Sequence, residues 1–239
     1  MIEKLLTAYS ICSVCSVCII YLTKTKYSRS IKKMLKLTLD VFNKHNVPYW
    51  ADFGTLLGLI REKDIIAHDF DADFGINLDN INKLYNPIIR NALVKKGLCL
   101  VKSKDCIYKI YYLSVVKDPN TEFFYKQTTH VDIFPYIFKP LNKIALRAKF
   151  NWHKESKGKL KKFNKNDIID SFDLYLVKDI KKVWVSAWNN YCNIPKNYHK
   201  LLIYRYGPGY MKPVLLYKPD KKIVKDRYKR FYNYYDWDD

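Results

Sequence analysis

DFGTLLGLIREKDIIAHDFDADFGIN, which spans Asp52–Asn77, is the stretch that decides the fold of this chain. Near its end Asp69, Asp71 and Asp73 alternate with apolar residues. Successive side chains of a β-strand point to opposite faces, so a strand here would carry all three carboxylates on one face. Like charges on one face repel each other, and a bound cation removes that repulsion. Carboxylate oxygens suit Mg²⁺ or Mn²⁺, which also bind phosphate oxygens, so the alternation predicts a metal site for a phosphorylated ligand.

The residues before the acidic run predict a strand, a glycine turn and a helix, in that order. Tyr49–Phe53 has the composition of a short buried strand, and Gly54 interrupts it. From Thr55 to Glu62 the apolar residues recur at helical spacing. Backbone N–H groups at the start of a helix can bind an anion. We therefore expect Gly54 and Thr55 to face a phosphate of the substrate.

A further carboxylate lies much later in the chain, in the motif HVDIFP. Asp132 belongs to a predicted strand, Thr129–Phe134, and shares a face of that strand with His130. Two carboxylates on one strand and a third on a neighbour are what two-metal phosphoryl or nucleotidyl transfer requires. We expect Asp71, Asp73 and Asp132 to hold the metal and to be catalytic, with Asp132 orienting or deprotonating the acceptor.

Arg61 is predicted to clamp the donor phosphates, because a guanidinium binds phosphate through two parallel hydrogen bonds. The alternative is a surface ion pair with Glu62 or Asp64. A set of cysteines and histidines in the body of the chain is assigned to packing or to the surface, without a catalytic role: Cys99, Cys106, Cys192, His45, His130 and His153.

The rest of the chain predicts an α/β fold in which helices flank a sheet. A packing helix is expected from Ser28 or Ser30 to a point before Pro48, and a single helix is expected between Asp79 and Gly97, with Ile88 facing inward. The middle of the chain has the composition of strands, and a short helix follows Pro195. Three further expectations are a strand at Phe70–Leu78, a helix at Asp179–Cys192 and a basic, helix-like segment at Lys139–Asn166.

Composition excludes disorder and favours anionic ligands. Of the 239 residues 49% are hydrophobic and 16% aromatic, which is too much apolar surface to leave in water. The formal net charge of +20 attracts nucleotides, nucleic acids, phosphorylated glycans or acidic membrane surfaces. An AT-rich genome would also produce many lysines, so the charge does not choose a partner. The cysteine spacing predicts neither a disulfide framework nor a zinc site.

The N-terminal segment is predicted to be a transmembrane signal-anchor. Residues 5–22 contain no charged side chain and approach the length of about 20 residues that a helix needs to cross a bilayer. A bulky IIYL end, running directly into lysines, favours an uncleaved anchor over a cleaved signal peptide. The excess of Lys and Arg after the span points the body toward the cytosol, and the chain has no Asn-x-Ser/Thr acceptor.

Several of these motifs resemble the LicD and fukutin-like family of the nucleotidyltransferase superfamily. That family has a segment like LDxGTLLGxxR followed by IPWDDDID, and Asp52, GTLLG, Arg61 and the acidic run stand in the same order here. VDIFP and a terminal YGxxYxxP match residues 131–135 and 206–213. The departures are His68 for the usual tryptophan and Phe70 for the middle aspartate. On strand geometry Phe70 is expected to face the core.

The resemblance implies a nucleotidyltransferase-like mixed sheet flanked by helices, preceded by one transmembrane helix. It implies Mg²⁺- or Mn²⁺-dependent transfer of a phosphorylated alcohol, such as phosphocholine or ribitol phosphate, from a CDP-activated donor to a glycan hydroxyl, with release of CMP. Asp52, Gly54, Thr55 and Arg61 are implied to bind substrate, and Asp69 to support the metal ligands. The predicted parts are a flank at 1–4, the anchor at 5–22, a basic juxtamembrane segment with its packing helix at 23–48, the catalytic domain at 49–215 and a charged aromatic tail at 216–239.

Two other functions stay open at this point. The fold could transfer nucleotides to RNA, which the positive charge favours; the anchor and the GTLLG signature make nucleic acid an unlikely partner. The chain could also be a non-catalytic, membrane-tethered module that binds acidic glycans or lipids. Eukaryotic members of the family face the lumen of the endoplasmic reticulum or Golgi and bacterial members are cytosolic, so the resemblance implies a single-pass endoplasmic reticulum or Golgi protein without excluding a cytosolic body.

Overall fold

The computed structural model describes residues 29–67, 69–103, 107–115, 129–148 and 168–213. The strands there are β1 (Trp50–Ala51), β2 (Asp71–Asn77), β3 (Leu98–Lys102), β4 (Tyr108–Tyr112), β5 (His130–Lys139), β6 (Ile144–Ala148), β7 (Ile168–Asp173), β8 (Ile180–Val185) and β9 (Asn190–Pro195). The helices are α1 (29–44), α2 (Phe53–Arg61), α3 (Ile81–Leu84), α4 (Pro87–Lys95), α5 (Tyr175–Lys178) and α6 (Tyr198–Tyr206), with 3₁₀ turns at Leu78–Asn80, Leu113–Val115 and Ser186–Trp188.

Seven of these strands form one mixed sheet. Its order is β1-β2-β5-β4-β3, and β6 pairs with both β5 and β7. β2 and β5 run parallel, whereas the other paired strands of the sheet are antiparallel. β8 and β9 form a separate antiparallel hairpin. The described residues therefore confirm the predicted mixed sheet flanked by helices.

One face of β2 is the centre of the apolar core. Ala72, Phe74 and Ile76 are fully buried, as the alternating pattern of the strand predicts. Helix α1 covers this face: the Phe42 and Phe74 rings lie 6.3 Å apart, and the Tyr49 ring lies 4.7 Å from that of Phe74. The opposite face of β2 carries Asp71 and Asp73 and is not part of this core. Its side chains are therefore the candidates for a functional site.

The connection from β1 to α2 is fixed at the edge of β2. The side chain of Asp52 caps α2 by accepting a hydrogen bond from the backbone N–H of Phe53 at 2.9 Å. The Asp52 N–H in turn donates to the carbonyl of Asp73 at 3.0 Å. The cap thus ties the first turn of α2 to the acidic strand.

The single helix predicted between Asp79 and Gly97 is wrong. The segment contains a 3₁₀ turn and two short helices, because Asn86 caps a new helix whose first residue is Pro87. The restart changes which side chain faces inward: Ile88 is 64% exposed, whereas Ile89 is 5% exposed.

One other predicted helix, and the described part of a segment predicted to be helix-like, are also wrong. Asp179–Cys192 contains β8, a 3₁₀ turn and the start of β9, because Trp184 and Tyr191 are cross-strand neighbours and Asn189 takes the left-handed conformation, with φ 47°, that reverses the chain. The β-branched residues of β8 favour this hairpin over the helix that their spacing also allowed. In the described part of Lys139–Asn166, residues 139–148, the chain forms the end of β5, a turn and β6.

No helix among the described residues is long and apolar enough to cross a membrane. The predicted anchor at residues 5–22 and the tail at 216–239 lie outside the described residues.

Candidate metal centre

The parallel pairing of β2 with β5 builds the acidic site. Asp71 lies opposite His130 and Asp73 lies opposite Asp132. Paired residues of neighbouring strands point to the same side of a sheet, so these four side chains share the face opposite the core. This register brings the acidic run beside Asp132, as the sequence predicted.

Three of these residues lie close enough to hold one metal ion. Asp71, His130 and Asp132 each offer a ligand atom, and these atoms all lie within 4.8 Å of one another. His130 Nε2 is 3.3 Å from Asp132 Oδ1 and 4.0 Å from Asp71 Oδ2. From β4, Lys109 Nζ lies 2.6 Å from the same Asp132 oxygen. The cluster therefore contains two carboxylates, an imidazole and an ammonium group.

Asp132 and Asp71 differ in their electrostatic surroundings. Burial acts to raise the pKa of Asp132, but the hydrogen bond and charge of His130, together with Lys109, hold that pKa below its usual value. The pKa of Asp71 is raised, mainly because burial removes water from its carboxylate, although His130 opposes the shift. Asp132 is thus kept ionised, as a metal ligand must be.

Asp73 is held by the start of α2. Its Oδ2 accepts a hydrogen bond from the Gly54 N–H at 3.2 Å, and its own N–H donates to Thr55 Oγ1 at 2.7 Å. Burial raises the pKa of Asp73 well above its usual value, and the charges of Asp71 and Asp132 raise it further. This is the electrostatic strain that a bound cation relieves. The structure brings Asp73 to the predicted face, but within the described residues it is not one of the three clustered ligands.

Two carboxylates approach the Cα of Gly54. A Cβ added there would lie 2.9 Å from Asp69 Oδ2 and 3.5 Å from Asp73 Oδ2. Asp69 therefore reaches the same place as Asp73, although it precedes β2. Gly54 and Thr55 lie beside the acidic face, where they were expected, and their contact with a substrate stays a prediction.

The prediction that Phe70 faces the core is wrong. β2 begins at Asp71, so the strand alternation does not extend back to Phe70, and its side chain is 39% exposed. The Phe70 ring lies 6.1 Å from the His130 ring, and Tyr111 lies 5.5 Å from His130. Phe70 is therefore an exposed aromatic residue beside the cluster.

Asp52 forms a buried ion pair with Arg205. Arg205 of α6 donates to Asp52 Oδ1 through Nε at 2.7 Å and to Oδ2 through Nη2 at 2.8 Å, and Asp52 is fully buried. Arg205 also donates to Asp170 Oδ2 at 2.9 Å and to the Tyr136 hydroxyl at 3.0 Å. The predicted substrate contact for Asp52 does not fit this geometry, because its carboxylate serves the helix cap and Arg205.

Comparison with known proteins identifies the family of this chain. Residues 46–174 match the family model described as LicD/FKTN/FKRP, nucleotidyltransferase domain, which is more than half of the 239 residues. The chain belongs to this family. Both β2 and β5, which carry the cluster, lie inside the matched range.

Its relatives include named transferases. The chain is 24% identical over 198 residues to ribitol 5-phosphate transferase FKRP of Mus musculus, covering 79% of the chain and 34% of that protein. It is 30% identical over 109 residues to ribitol-5-phosphate transferase FKTN of Homo sapiens, covering 44% of the chain and 23% of that protein. An uncharacterised protein of Rickettsia typhi is 39% identical over 56 residues, covering 23% of the chain and 18% of that protein. The chain thus spans about a third or less of these relatives.

Sequence reasoning missed three residues of this LicD-family site. His130 was assigned to packing or surface, yet it lies between two carboxylates; its position two residues before Asp132 was the available signal. Lys109 carried no motif, and its place follows only from the pairing of β4 with β5. Arg205 lies outside the family match, and it meets Asp52 across 153 positions of sequence.

Arg61 lies at the other end of α2. A helix rises about 1.5 Å per residue, so Arg61 is about 12 Å along the axis from Phe53. Its guanidinium contacts Glu62, with Nη2 at 2.5 Å and Nε at 3.1 Å from Oε1, which is the ion pair that the sequence offered as an alternative. Its contact with a donor phosphate stays a prediction.

The ligand chemistry of the cluster fits a divalent cation. Carboxylate oxygens are preferred by Mg²⁺ and Mn²⁺, while an imidazole is typical of sites for transition metals. Asp71, His130 and Asp132 offer both kinds of ligand. The set therefore fits either of the two predicted ions, Mg²⁺ or Mn²⁺.

Proposed function

We propose that this LicD-family chain is a metal-dependent transferase that moves a phosphorylated alcohol from a CDP-activated donor to a hydroxyl of a glycan, releasing CMP. The observation that carries the proposal is the parallel register that joins Asp71 and Asp73 to His130 and Asp132 within the family domain. The names of two relatives, both ribitol-phosphate transferases, support the transfer of a phosphorylated alcohol. Ribitol phosphate is therefore the first donor group to test.

The described residues would have different roles in such a site. Asp71, His130 and Asp132 would hold a divalent cation, with Asp73 beside them. The cation, when bound, polarises the transferred phosphate and offsets its negative charge. Lys109 lies against Asp132 and adds a further positive charge next to the place where the phosphate would bind.

The reaction makes one bond to phosphorus and breaks another. The oxygen of the acceptor hydroxyl bonds to the phosphorus that carries the alcohol, and the bond from that phosphorus to the bridging oxygen of CMP breaks. The hydroxyl proton passes to a carboxylate of the cluster. We assign this step to Asp71, because it is the more exposed of the two clustered carboxylates: its side chain is 32% exposed, against 11% for Asp132. This changes the role first expected of Asp132, whose carboxylate is held by Lys109 and His130.

The test is mass spectrometry of the reaction products. The purified protein is incubated with Mn²⁺, a glycan acceptor and a panel of CDP-ribitol, CDP-glycerol and CDP-choline, beside the Asp71→Asn variant and the exposed-residue control Asp173→Asn. We expect one CDP-alcohol to yield CMP and a glycan heavier by one phosphoalcohol, with transfer lost in Asp71→Asn and kept in Asp173→Asn. Equal product with Asp71→Asn would contradict the assignment of the site.

We also propose that residues 5–22 anchor the chain in a membrane as a single span. The uncharged apolar segment supports this, and it lies outside the described residues. After alkaline carbonate washing of cell membranes, the full chain should stay in the pellet and a chain lacking residues 1–28 should be released. Release of both would contradict the anchor. A glycosylation acceptor inserted in the 216–239 tail would then report the side of the membrane.

A further inference from the structure

Arg147 lies on two aromatic rings beside the acidic face. Its guanidinium carbon is 4.5 Å from the centre of the Phe134 ring and 5.7 Å from that of Phe53. The two rings pack edge to face, with their centres 5.2 Å apart. A guanidinium over such rings is attracted by their negative faces, and the charge of Arg147 also acts on Asp170 of the neighbouring strand, so Arg147 is held in one place.

The polar atoms of Arg147 are not used by the described residues. Its Nε is buried and has no hydrogen-bond partner, and within the described ranges Arg147 makes no ion pair. Asp170, which lies opposite Arg147 on β7, already accepts from Arg205. A buried N–H group without a partner is costly, and an arginine normally meets a carboxylate or a phosphate. Arg147 Nε therefore has hydrogen-bonding capacity that is left unfilled within the described residues.

The position of Arg147 relates it to the metal centre. Phe134 lies two residues after Asp132 on the same face of β5, a distance of about 7 Å along a strand. Phe53 directly precedes Gly54, whose N–H donates to Asp73. Phe134 thus lies on a strand that carries two residues of the cluster, and Phe53 lies next to the glycine that contacts Asp73. Arg61, by contrast, is paired with Glu62 at the far end of α2.

We propose that Arg147 is a substrate-binding residue that holds a phosphate group of the donor through its guanidinium. The proposal rests on the proposed transfer reaction and names the residue that recognises the phosphate. Arginine suits this role because its planar fork can donate two parallel hydrogen bonds to one phosphate. No bond is made or broken at Arg147; it binds and orients the anion.

The test is the binding of inorganic pyrophosphate to the full-length protein at saturating Mn²⁺, measured by calorimetry. Arg147→Met should weaken pyrophosphate binding about tenfold or more, and Arg147→Lys should weaken it less, since lysine keeps the charge but not the fork. The matched control is Arg90→Met, because Arg90 also lies over an aromatic ring, that of Tyr85 at 5.8 Å, but is exposed on α4. Unchanged binding in Arg147→Met, or an equal loss in Arg90→Met, would overturn the proposal.

A second measurement avoids substitution. Pyrophosphate should protect Arg147 of the unsubstituted protein from modification by phenylglyoxal, as mapped by mass spectrometry, while Arg90 stays reactive. Modification of Arg147 at the same rate with and without pyrophosphate would contradict the proposal.

Two outcomes distinguish an error in the role of Arg147 from an error in the proposed transfer reaction. If Arg147→Met loses pyrophosphate binding while no CDP-alcohol gives a product, the phosphate site stands and the transfer reaction does not. If a CDP-alcohol is turned over and Arg147→Met leaves both its KM and pyrophosphate binding unchanged, the transfer stands and the role of Arg147 does not.

Discussion

Arg205 donates two hydrogen bonds to the carboxylate of Asp52, at 2.7 and 2.8 Å, and both side chains are buried. Because Asp52 caps α2, this pair joins α6 to the turn that presents Gly54 to Asp73. Arg205, which lies outside the family match, therefore supports the turn that contacts the acidic strand.

Arg205→Met should destabilise the protein strongly. It leaves the carboxylates of Asp52 and Asp170 buried without their partner, and removing one member of a buried pair costs about 3–5 kcal/mol. Urea unfolding measures the change, with the exposed Arg90→Met as the control, which should shift stability by less than about 0.5 kcal/mol. A similar small effect in both variants would show that the pair does not stabilise the fold.

Asp170 should make the stability of the protein depend on acid. Burial acts to raise its pKa, but the charges of Arg205 and Arg147 hold the pKa of Asp170 below its usual value. Its stabilising contribution is therefore complete above the unfolded-state pKa of about 4 and is lost as the pH falls through the lower folded-state pKa. Urea unfolding between pH 6 and pH 3 should show a shallower loss of stability for Asp170→Asn than for Asp173→Asn. Parallel curves for the two variants would contradict the assignment.

Asp73→Asn should stabilise the metal-free protein. The raised pKa of Asp73, caused first by burial and then by neighbouring carboxylates, means that its ionised form destabilises the fold once the pH exceeds the unfolded-state value. Asparagine keeps an acceptor for the Gly54 N–H, so at pH 7 in EDTA the variant should unfold at a higher temperature than the unsubstituted protein. Thermal unfolding tests this against Asp173→Asn, and a lower Tm for Asp73→Asn in EDTA would contradict it.

His130→Ala should weaken metal binding. The change removes the imidazole ligand and the hydrogen-bond partner of Asp132 on the same strand. We expect the affinity for Mn²⁺, measured by electron paramagnetic resonance of the free ion, to fall about tenfold or more, with His45→Ala unchanged. Equal Mn²⁺ affinity in His130→Ala and His45→Ala would remove His130 from the ligand set.

The parts of this fold that the sequence predicts are the local ones. Alternation in β2 and helical spacing in α1 arise from neighbours along the chain, so Asp71, Asp73 and the core face were predictable. The hairpin β8–β9 was not, because its spacing fits a helix as well, and cross-strand packing of Trp184 on Tyr191 decides for the strands.

The parts that the sequence does not predict depend on long-range pairing. His130 and Asp132 were placed on one face, but only the register of β5 with β2 brings His130 to Asp71. Arg147 has no motif, and its place on Phe53 and Phe134 follows from the turn between β5 and β6. Such contacts are set by tertiary packing, which leaves no period in the sequence.

The most direct test of the metal centre is the anomalous difference density of a crystal soaked in Mn²⁺. The structure predicts a peak at bonding distance from Asp71, His130 and Asp132, on the face of the sheet opposite Phe74. A peak elsewhere, or no peak among these three side chains at saturating Mn²⁺, would contradict the central claim that the parallel strands β2 and β5 form a metal site.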